Sequence, residues 1–132
     1  MVNLNELSKV ALANADLRNK NGGNIKTNTQ SMLKHTATEV VEAAMAASAY
    51  LDLKSYADFS ETDLEEKWPS LEEPDVAEET FRRYKEHLSS ELADIICCCL
   101  IVAGKEEIDI EKAVRDCIEK NRRRAEGAGD KL

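Results

Sequence analysis

The sequence predicts an all-α protein: an antiparallel four-helix bundle with a short extra helix or loop between helices two and three. The 132 residues include only two prolines and five glycines, and they are rich in Ala, Leu, Glu and Lys, which favour helix. Apolar residues recur at three- and four-residue spacing, and the alternation typical of strands is absent. The length fits one core, so we expect residues 1–124 to form a single domain and residues 125–132 a flexible tail.

The first two predicted helices are bounded by clear signals. Helix one runs from about Asn5 to Lys20 and stops at Asn21-Gly22-Gly23-Asn24, since glycine commonly ends a helix. Helix two opens near Asn28 or Thr29, either of which can cap it, and continues to about Tyr56. Its apolar stripe consists of Leu33, Ala37, Val40, Val41, Ala44, Ser48 and Leu51.

Helices three and four follow a polar segment, 57–74, in which a short helix at 60–67 is expected. Helix three begins near Asp75 and ends at Gly104. Asp109 is placed to cap helix four, which carries apolar residues at three-four spacing and ends in the basic run at Arg124.

The charge of the chain limits its partners. A formal net charge of −8 argues against nonspecific binding to nucleic acid or to a membrane surface, because polyanions would be repelled. The sequence shows neither a signal peptide nor an apolar stretch of membrane-span length, so we expect a cytoplasmic protein. Its cysteines, Cys97, Cys98, Cys99 and Cys117, fit neither a disulfide framework nor a metal knuckle, and we interpret them as small buried residues.

Two stretches stand out because they contain very few charges. Although 33% of all residues are charged, residues 35–51 contain only Glu39 and Glu42, and residues 88–104 contain only Glu91 and Asp94. Each pair is spaced i, i+3, which places both carboxylates on the same side of a helix. If the two apolar helices pack together, four acids meet in one desolvated place.

Clustered acids in such a place require a cation, because like charges out of water are costly. Oxygen ligands without His or Cys favour Mg²⁺, with Mn²⁺ as a substitute, over zinc. The alternative is that the acids are solvated or stabilise a helix start. That alternative applies to Glu91 if a new helix begins at Ser89 or Ser90, but not to Glu39 and Glu42, which lie in mid-helix.

These pairs resemble the E-x-x-E and E-x-x-D pairs of the MazG-like, all-alpha nucleoside triphosphate pyrophosphohydrolases. The likeness covers roughly residues 29–124 and is poorest between the two pairs. It includes three runs in the family's order: 90–96 (SELADII), 108–114 (IDIEKAV) and 119–122 (EKNR).

The resemblance implies a helical homodimer or homotetramer that hydrolyses (deoxy)nucleoside triphosphates to monophosphate and pyrophosphate. Glu39, Glu42, Glu91 and Asp94 would bind Mg²⁺ and serve catalysis, with one of them taking a proton from water. Such an enzyme could clear unwanted nucleotides from the pool. Phosphoribosyl-ATP pyrophosphatase, in the same superfamily, and a non-catalytic acidic helical interaction module are the alternatives.

Asn121 lies at the centre of the apolar stripe of helix four, so its amide is expected to face the interior and need a partner. It either bonds a neighbouring helix end or, as the resemblance implies, contacts substrate. Lys120, Arg122, Arg123 and Arg124 are placed to reach phosphate, although cations also stabilise a helix C-terminus.

The chain departs from many members of the family at two positions. Cys117 stands where a lysine is common, and Cys98 where some members carry an aromatic residue. The residue that would stack on the base is therefore open among Trp68, Tyr84 and Tyr50.

His35 and His87 each precede an acidic pair by four residues, the spacing that aligns side chains on a helix face. We interpret both as surface or helix-start residues rather than ligands or proton carriers.

Overall fold

A computed structural model describes residues 3–24, 27–57 and 74–127 of the chain. These residues form four α-helices: α1 (Leu4–Lys20), α2 (Thr29–Ala57), α3 (Pro74–Lys105) and α4 (Ile110–Ala125). No strand occurs in these ranges, so the all-α prediction is confirmed. The short helix expected at 60–67 lies outside the described residues.

Local signals in the sequence set the helix ends. Asn3 caps α1, because its side-chain oxygen accepts a hydrogen bond from the backbone N–H of Asn5 at 2.8 Å. The helix ends at Lys20, and the φ of 95° at Gly22 in the turn that follows suits glycine. Asn28 caps α2 through Ser31 N–H at 2.9 Å, and Asp109 caps α4 through Lys112 N–H at 3.1 Å. The Asp109 prediction is confirmed, and Asn28 is the cap of helix two.

The helix α3 is continuous from Pro74 to Lys105. Glu91 therefore lies deep inside a helix, and no helix begins at Ser89 or Ser90. A helix-start role for Glu91 is excluded, because the charge of a helix terminus acts only within the first turn.

The chain divides into two compact units. One comprises residues 1–34 and 97–132. In this unit Ser8 Oγ donates to the Leu100 carbonyl at 2.7 Å, and Asn5 Nδ2 donates to Asp109 Oδ1 at 2.9 Å. These bonds join α1 to the end of α3 and to the start of α4. The buried apolar residues of the unit are Ala15, Met32, Cys98, Leu100 and Ala103.

The other unit comprises residues 35–96, and it contains the four acids. Its buried apolar residues are Ala43, Ala46 and Leu53. Many of its large apolar side chains are exposed instead: Val40, Val41, Met45, Leu51, Leu92 and Ile96. Ala43 and Ala46 of α2 are thus covered, while larger side chains near them, such as Val40 and Met45, are exposed.

The cysteines correct one expectation. Cys98 is buried, but Cys97, Cys99 and Cys117 are exposed, and none of the four forms a disulfide. Successive helical residues diverge by about 100°, so three adjacent cysteines cannot all face the same neighbours.

One segment also differs from the expectation that no stretch reaches membrane-span length. Among the described residues, Glu78–Lys105 is long enough to cross a bilayer and has a window of mean hydropathy 1.6. Only the length and composition of this segment suggest a membrane span, and the core helix of a soluble protein meets the same criteria.

Candidate metal site

Three carboxylates meet in the unit formed by residues 35–96. One oxygen each from Glu39 of α2 and from Glu91 and Asp94 of α3 lies within 4.8 Å of the other two. The i, i+3 spacing places Glu91 and Asp94 one turn apart on the same side of α3. The two low-charge stretches thus do bring acids from different helices together.

The two glutamates of this trio have buried oxygens without partners. Glu39 is only 9% exposed, and its Oε2 atom accepts no hydrogen bond. Glu91 has a buried Oε2 in the same condition. A buried acceptor without a partner is unfavourable, so a hydrogen-bond donor or a cation at these oxygens would stabilise the folded protein.

The electrostatic environment of Glu39 opposes its ionisation. Burial raises the pKa of Glu39 above its ordinary value, and the negative charges of Glu42 and Asp94 raise it further. His35 acts in the opposite direction and lowers this pKa. A bound cation would favour the ionised form, because an opposite charge within a few ångströms stabilises a carboxylate.

Glu42 is placed differently from the other three predicted ligands. It lies outside the trio, although its charge and its side-chain hydrogen bond to Glu39 raise the pKa of Glu39. Glu42 and Asp94 are both exposed, whereas Glu39 is buried and Glu91 is half-buried. Residues three apart on a helix differ by about 60° in direction, so α2 directs only one acid of its pair to the buried position. Of the four predicted acids, the structure brings together three.

The two histidines lie beside the first acid of each pair. His35 Nε2 is 3.1 Å from Glu39 Oε1, and His87 Nε2 is 3.9 Å from Glu91 Oε1. Both histidines are exposed, as the interpretation of them as surface residues expects, but each also lies beside a carboxylate of the trio. The sequence signal was the four-residue spacing, which places a donor one turn before the acid.

The predicted substrate residues lie on α4, in the other unit. Asn121 is exposed, and its Nδ2 lies 3.9 Å from Cys117 Sγ. The expectation that its amide faces the interior was wrong, because α4 contains no buried residue and its apolar stripe, including Ile118 at 64% exposure, is uncovered.

The basic residues of α4 differ in their surroundings. Lys120 is exposed, and Arg122 pairs with Glu119 at 2.6 Å and Glu126 at 2.7 Å. Arg123 also pairs with Glu119, at 3.4 Å. Arg124 is half-buried, with an Nε atom that is buried and has no hydrogen-bond partner. A phosphate group would reach Arg122 only by displacing Glu119 and Glu126. The Nε of Arg124 has no such partner to be displaced.

The trio consists entirely of hard oxygen donors. Carboxylates without accompanying thiolate or imidazole ligands suit Mg²⁺ and Mn²⁺. The unpartnered oxygens of Glu39 and Glu91 are the atoms that such a cation would satisfy, so the donor set fits a divalent metal.

No protein-family model matches the chain, and no curated protein or solved structure is similar to it at a significant level.

Of the candidate base-stacking residues, Tyr50 and Tyr84 are half-buried, and Trp68 lies outside the described residues.

Proposed function

We propose that the chain is a Mg²⁺-dependent hydrolase that converts (deoxy)nucleoside triphosphates to nucleoside monophosphate and pyrophosphate, as the resemblance to the MazG-like enzymes implies. The observation that carries the proposal is the trio Glu39, Glu91 and Asp94, whose oxygens lie within 4.8 Å. Two further observations support a cation there: Glu39 is buried, and its Oε2 has no partner.

The trio would hold the metal, and Mn²⁺ would substitute for Mg²⁺. When bound, the ion neutralises phosphate charge and polarises the phosphorus that water attacks. In the reaction, the oxygen of water bonds to the α-phosphorus while the bond from that phosphorus to the α–β bridging oxygen breaks. Pyrophosphate leaves with the bridging oxygen.

Glu42 is the acid that we assign to accept the proton of the attacking water. It lies outside the trio but within electrostatic reach of Glu39, and its exposure leaves it accessible to solvent. A carboxylate beside the reacting water acts as a general base when it lies within hydrogen-bond reach.

We propose that Lys120, Asn121, Arg122 and Arg124 bind substrate. Arg124 is the strongest candidate of the four, since its buried Nε has no hydrogen-bond partner.

The proposal also includes an antiparallel arrangement of the four helices and a cytoplasmic location. Glu91 and Asp94 lie inside the apolar stretch of α3, where the hydrocarbon of a bilayer would make their charges costly.

A second copy of the chain is the proposed partner, in a homodimer or homotetramer. The unit of residues 35–96 exposes large apolar side chains on both of its helices, among them Val41, Met45 and Ile96. Exposed apolar patches of this kind mark association surfaces in soluble proteins. The same surface also supports the alternative function, a non-catalytic interaction module.

The test is a panel of ribo- and deoxynucleoside triphosphates and phosphoribosyl-ATP, assayed for pyrophosphate with Mg²⁺ and with a chelator. We expect monophosphate and pyrophosphate, only with Mg²⁺, and the preferred substrate separates the nucleotide-pool enzyme from phosphoribosyl-ATP pyrophosphatase. Asp94→Asn should abolish turnover, whereas the exposed control Asp16→Asn should not. Diphosphate plus single phosphate would contradict the proposal, and no turnover of any substrate would favour the interaction module.

A further inference from the structure

The two helices that carry the trio share a repeated arrangement around their first acid. A histidine stands four residues before Glu39 on α2 and before Glu91 on α3, and in both cases its Nε2 faces the Oε1 of the glutamate. In both glutamates the other oxygen, Oε2, is buried and has no hydrogen-bond partner. Each carboxylate therefore has one oxygen on the histidine side and one oxygen in the interior.

The contact at Glu39 is close enough for a hydrogen bond. Its Nε2–Oε1 distance is 3.1 Å, whereas the corresponding distance from His87 to Glu91 is 3.9 Å, which is too long. A glutamate side chain has several rotatable bonds, and ordering it costs conformational entropy. A donor at Oε1 restricts the rotation of the carboxylate and keeps Oε2 in the buried position.

We propose that His35 is a positioning residue for divalent-metal binding: it donates its Nε2–H to Oε1 of Glu39 and thereby leaves Oε2 for the cation. This role rests on the proposed function, since it needs a metal at the trio. Groups that hydrogen-bond to metal ligands orient those ligands, and their loss typically lowers metal affinity about 10–100-fold. The His35 side chain is 57% exposed, so we expect the low end of that range.

An ordinary helix-surface pair makes a different prediction. An i, i+4 pair of this kind stabilises a helix by about 0.2–0.5 kcal/mol and does nothing specific for a metal. Removing such a pair would lower the melting temperature slightly and leave metal affinity unchanged. Metal affinity and metal-free stability, measured on the same variants, separate the two roles.

The experiment measures the dissociation constant of Mn²⁺ by electron paramagnetic resonance of the free ion, with the full chain at constant pH. His35→Leu removes the donor, and His35→Gln restores an N–H near the position of Nε2. Ala37→Leu is the matched control, because it places the same side chain at an exposed position of α2 two residues away. His87→Leu tests the longer contact on α3.

We expect His35→Leu to bind Mn²⁺ about tenfold more weakly than wild type, and His35→Gln and Ala37→Leu to bind it as wild type does. His87→Leu should lose less affinity than His35→Leu. Melting temperatures in chelator should agree across the series.

Wild-type affinity in His35→Leu, or no recovery in His35→Gln, would overturn the positioning role alone. A loss in His87→Leu as large as that in His35→Leu would do the same, because a hydrogen bond could not then be the cause. A wild type without saturable Mn²⁺ binding would overturn both this role and the proposed function.

Discussion

Gly104 of α3 lies directly against Ser8 of α1. A Cβ atom at position 104 would stand 2.9 Å from the Ser8 carbonyl oxygen and 3.1 Å from its Oγ. Ser8 is itself fixed, because it is buried and its Oγ donates to the Leu100 carbonyl. The two helices can approach this closely only because residue 104 has no side chain.

Gly104→Ala should therefore destabilise the protein by about 1–3 kcal/mol, as expected when extra atoms are forced into a packed site. Helix propensity alone predicts the opposite sign, since alanine is favoured over glycine in a helix by about 1 kcal/mol. Chemical denaturation measures the free energy of unfolding, and the exposed change Ala44→Gly on α2 calibrates the propensity effect. A stabilised Gly104→Ala would show that α1 and α3 pack less closely.

Glu107 lies in the turn after α3 and has a left-handed conformation, with φ of 54°. The N–H of the next residue, Ile108, donates to the Ala103 carbonyl at 2.9 Å. This position favours glycine, because a left-handed conformation costs other residues about 1–2 kcal/mol. Glycine also loses more entropy on folding, by about 0.5–1 kcal/mol. Glu107→Gly should thus raise the free energy of unfolding by about 0.5–1 kcal/mol.

Glu107→Ala is the control for that change, since it removes the side chain but keeps the backbone strain. Its stability should not rise. Equal gains in both variants would assign the effect to the carboxylate instead of to the backbone.

The raised pKa of Glu39 predicts how metal-free stability depends on pH. The folded state binds the Glu39 proton more tightly than the unfolded chain does, so this residue favours folding below its unfolded pKa. That contribution is lost as pH rises through the higher pKa of the folded state. Glu39→Gln should remove this part of the pH dependence, and near neutral pH in chelator it should be at least as stable as wild type.

Thermal melts across a pH series in chelator provide the measurement. Asp16→Asn, which changes an exposed acid on α1, is the control for the loss of one negative charge. A Glu39→Gln protein that is clearly less stable than wild type at neutral pH would show that the carboxylate is held by favourable contacts.

Binding of Mg²⁺ should stabilise the folded protein, because the ion offsets the repulsion among the clustered carboxylates. A ligand that binds only the folded form stabilises it by RT ln(1 + [L]/Kd), or roughly 2.7 kcal/mol at a hundredfold excess over Kd. Wild type should melt at a higher temperature with Mg²⁺ than with chelator, while Asp94→Asn should lose most of this response. Glu42→Gln should lose turnover and keep more of the response than Asp94→Asn, because Glu42 lies outside the trio. If the melting temperature of wild type did not change with Mg²⁺, these acids would have a structural role instead of a metal-binding one.

The exposed apolar surface of α2 predicts association. Met45 is 68% exposed and stands beside other uncovered apolar side chains. Met45→Lys should shift the protein from an oligomer to a monomer in size-exclusion chromatography with light scattering, because the charge would be buried against the partner. Asn14→Lys, at an exposed position of α1 outside the unit of residues 35–96, is the control for the added charge. A wild type that is already monomeric at micromolar concentration would refute the prediction.

Much of the fold could be predicted from the sequence because the signals are local. Side chains two or three residues away determine where helices begin, as the Asp109 cap shows, and glycine determines where α1 ends. The candidate site could be predicted in part for the same reason: the scarcity of charge around Glu39 and Glu91 indicates that these acids are sequestered.

Which of those acids meet was decided by tertiary structure. The i, i+3 spacing puts Glu39 and Glu42 on one side of α2, but only the position of α3 relative to α2 determines that Glu39 joins Glu91 and Asp94 while Glu42 stays outside the trio. The same holds for Asn121, because an apolar stripe becomes interior only where another surface covers it. Sequence fixes the direction of a side chain on its own helix, and the packing of helices decides what that side chain contacts.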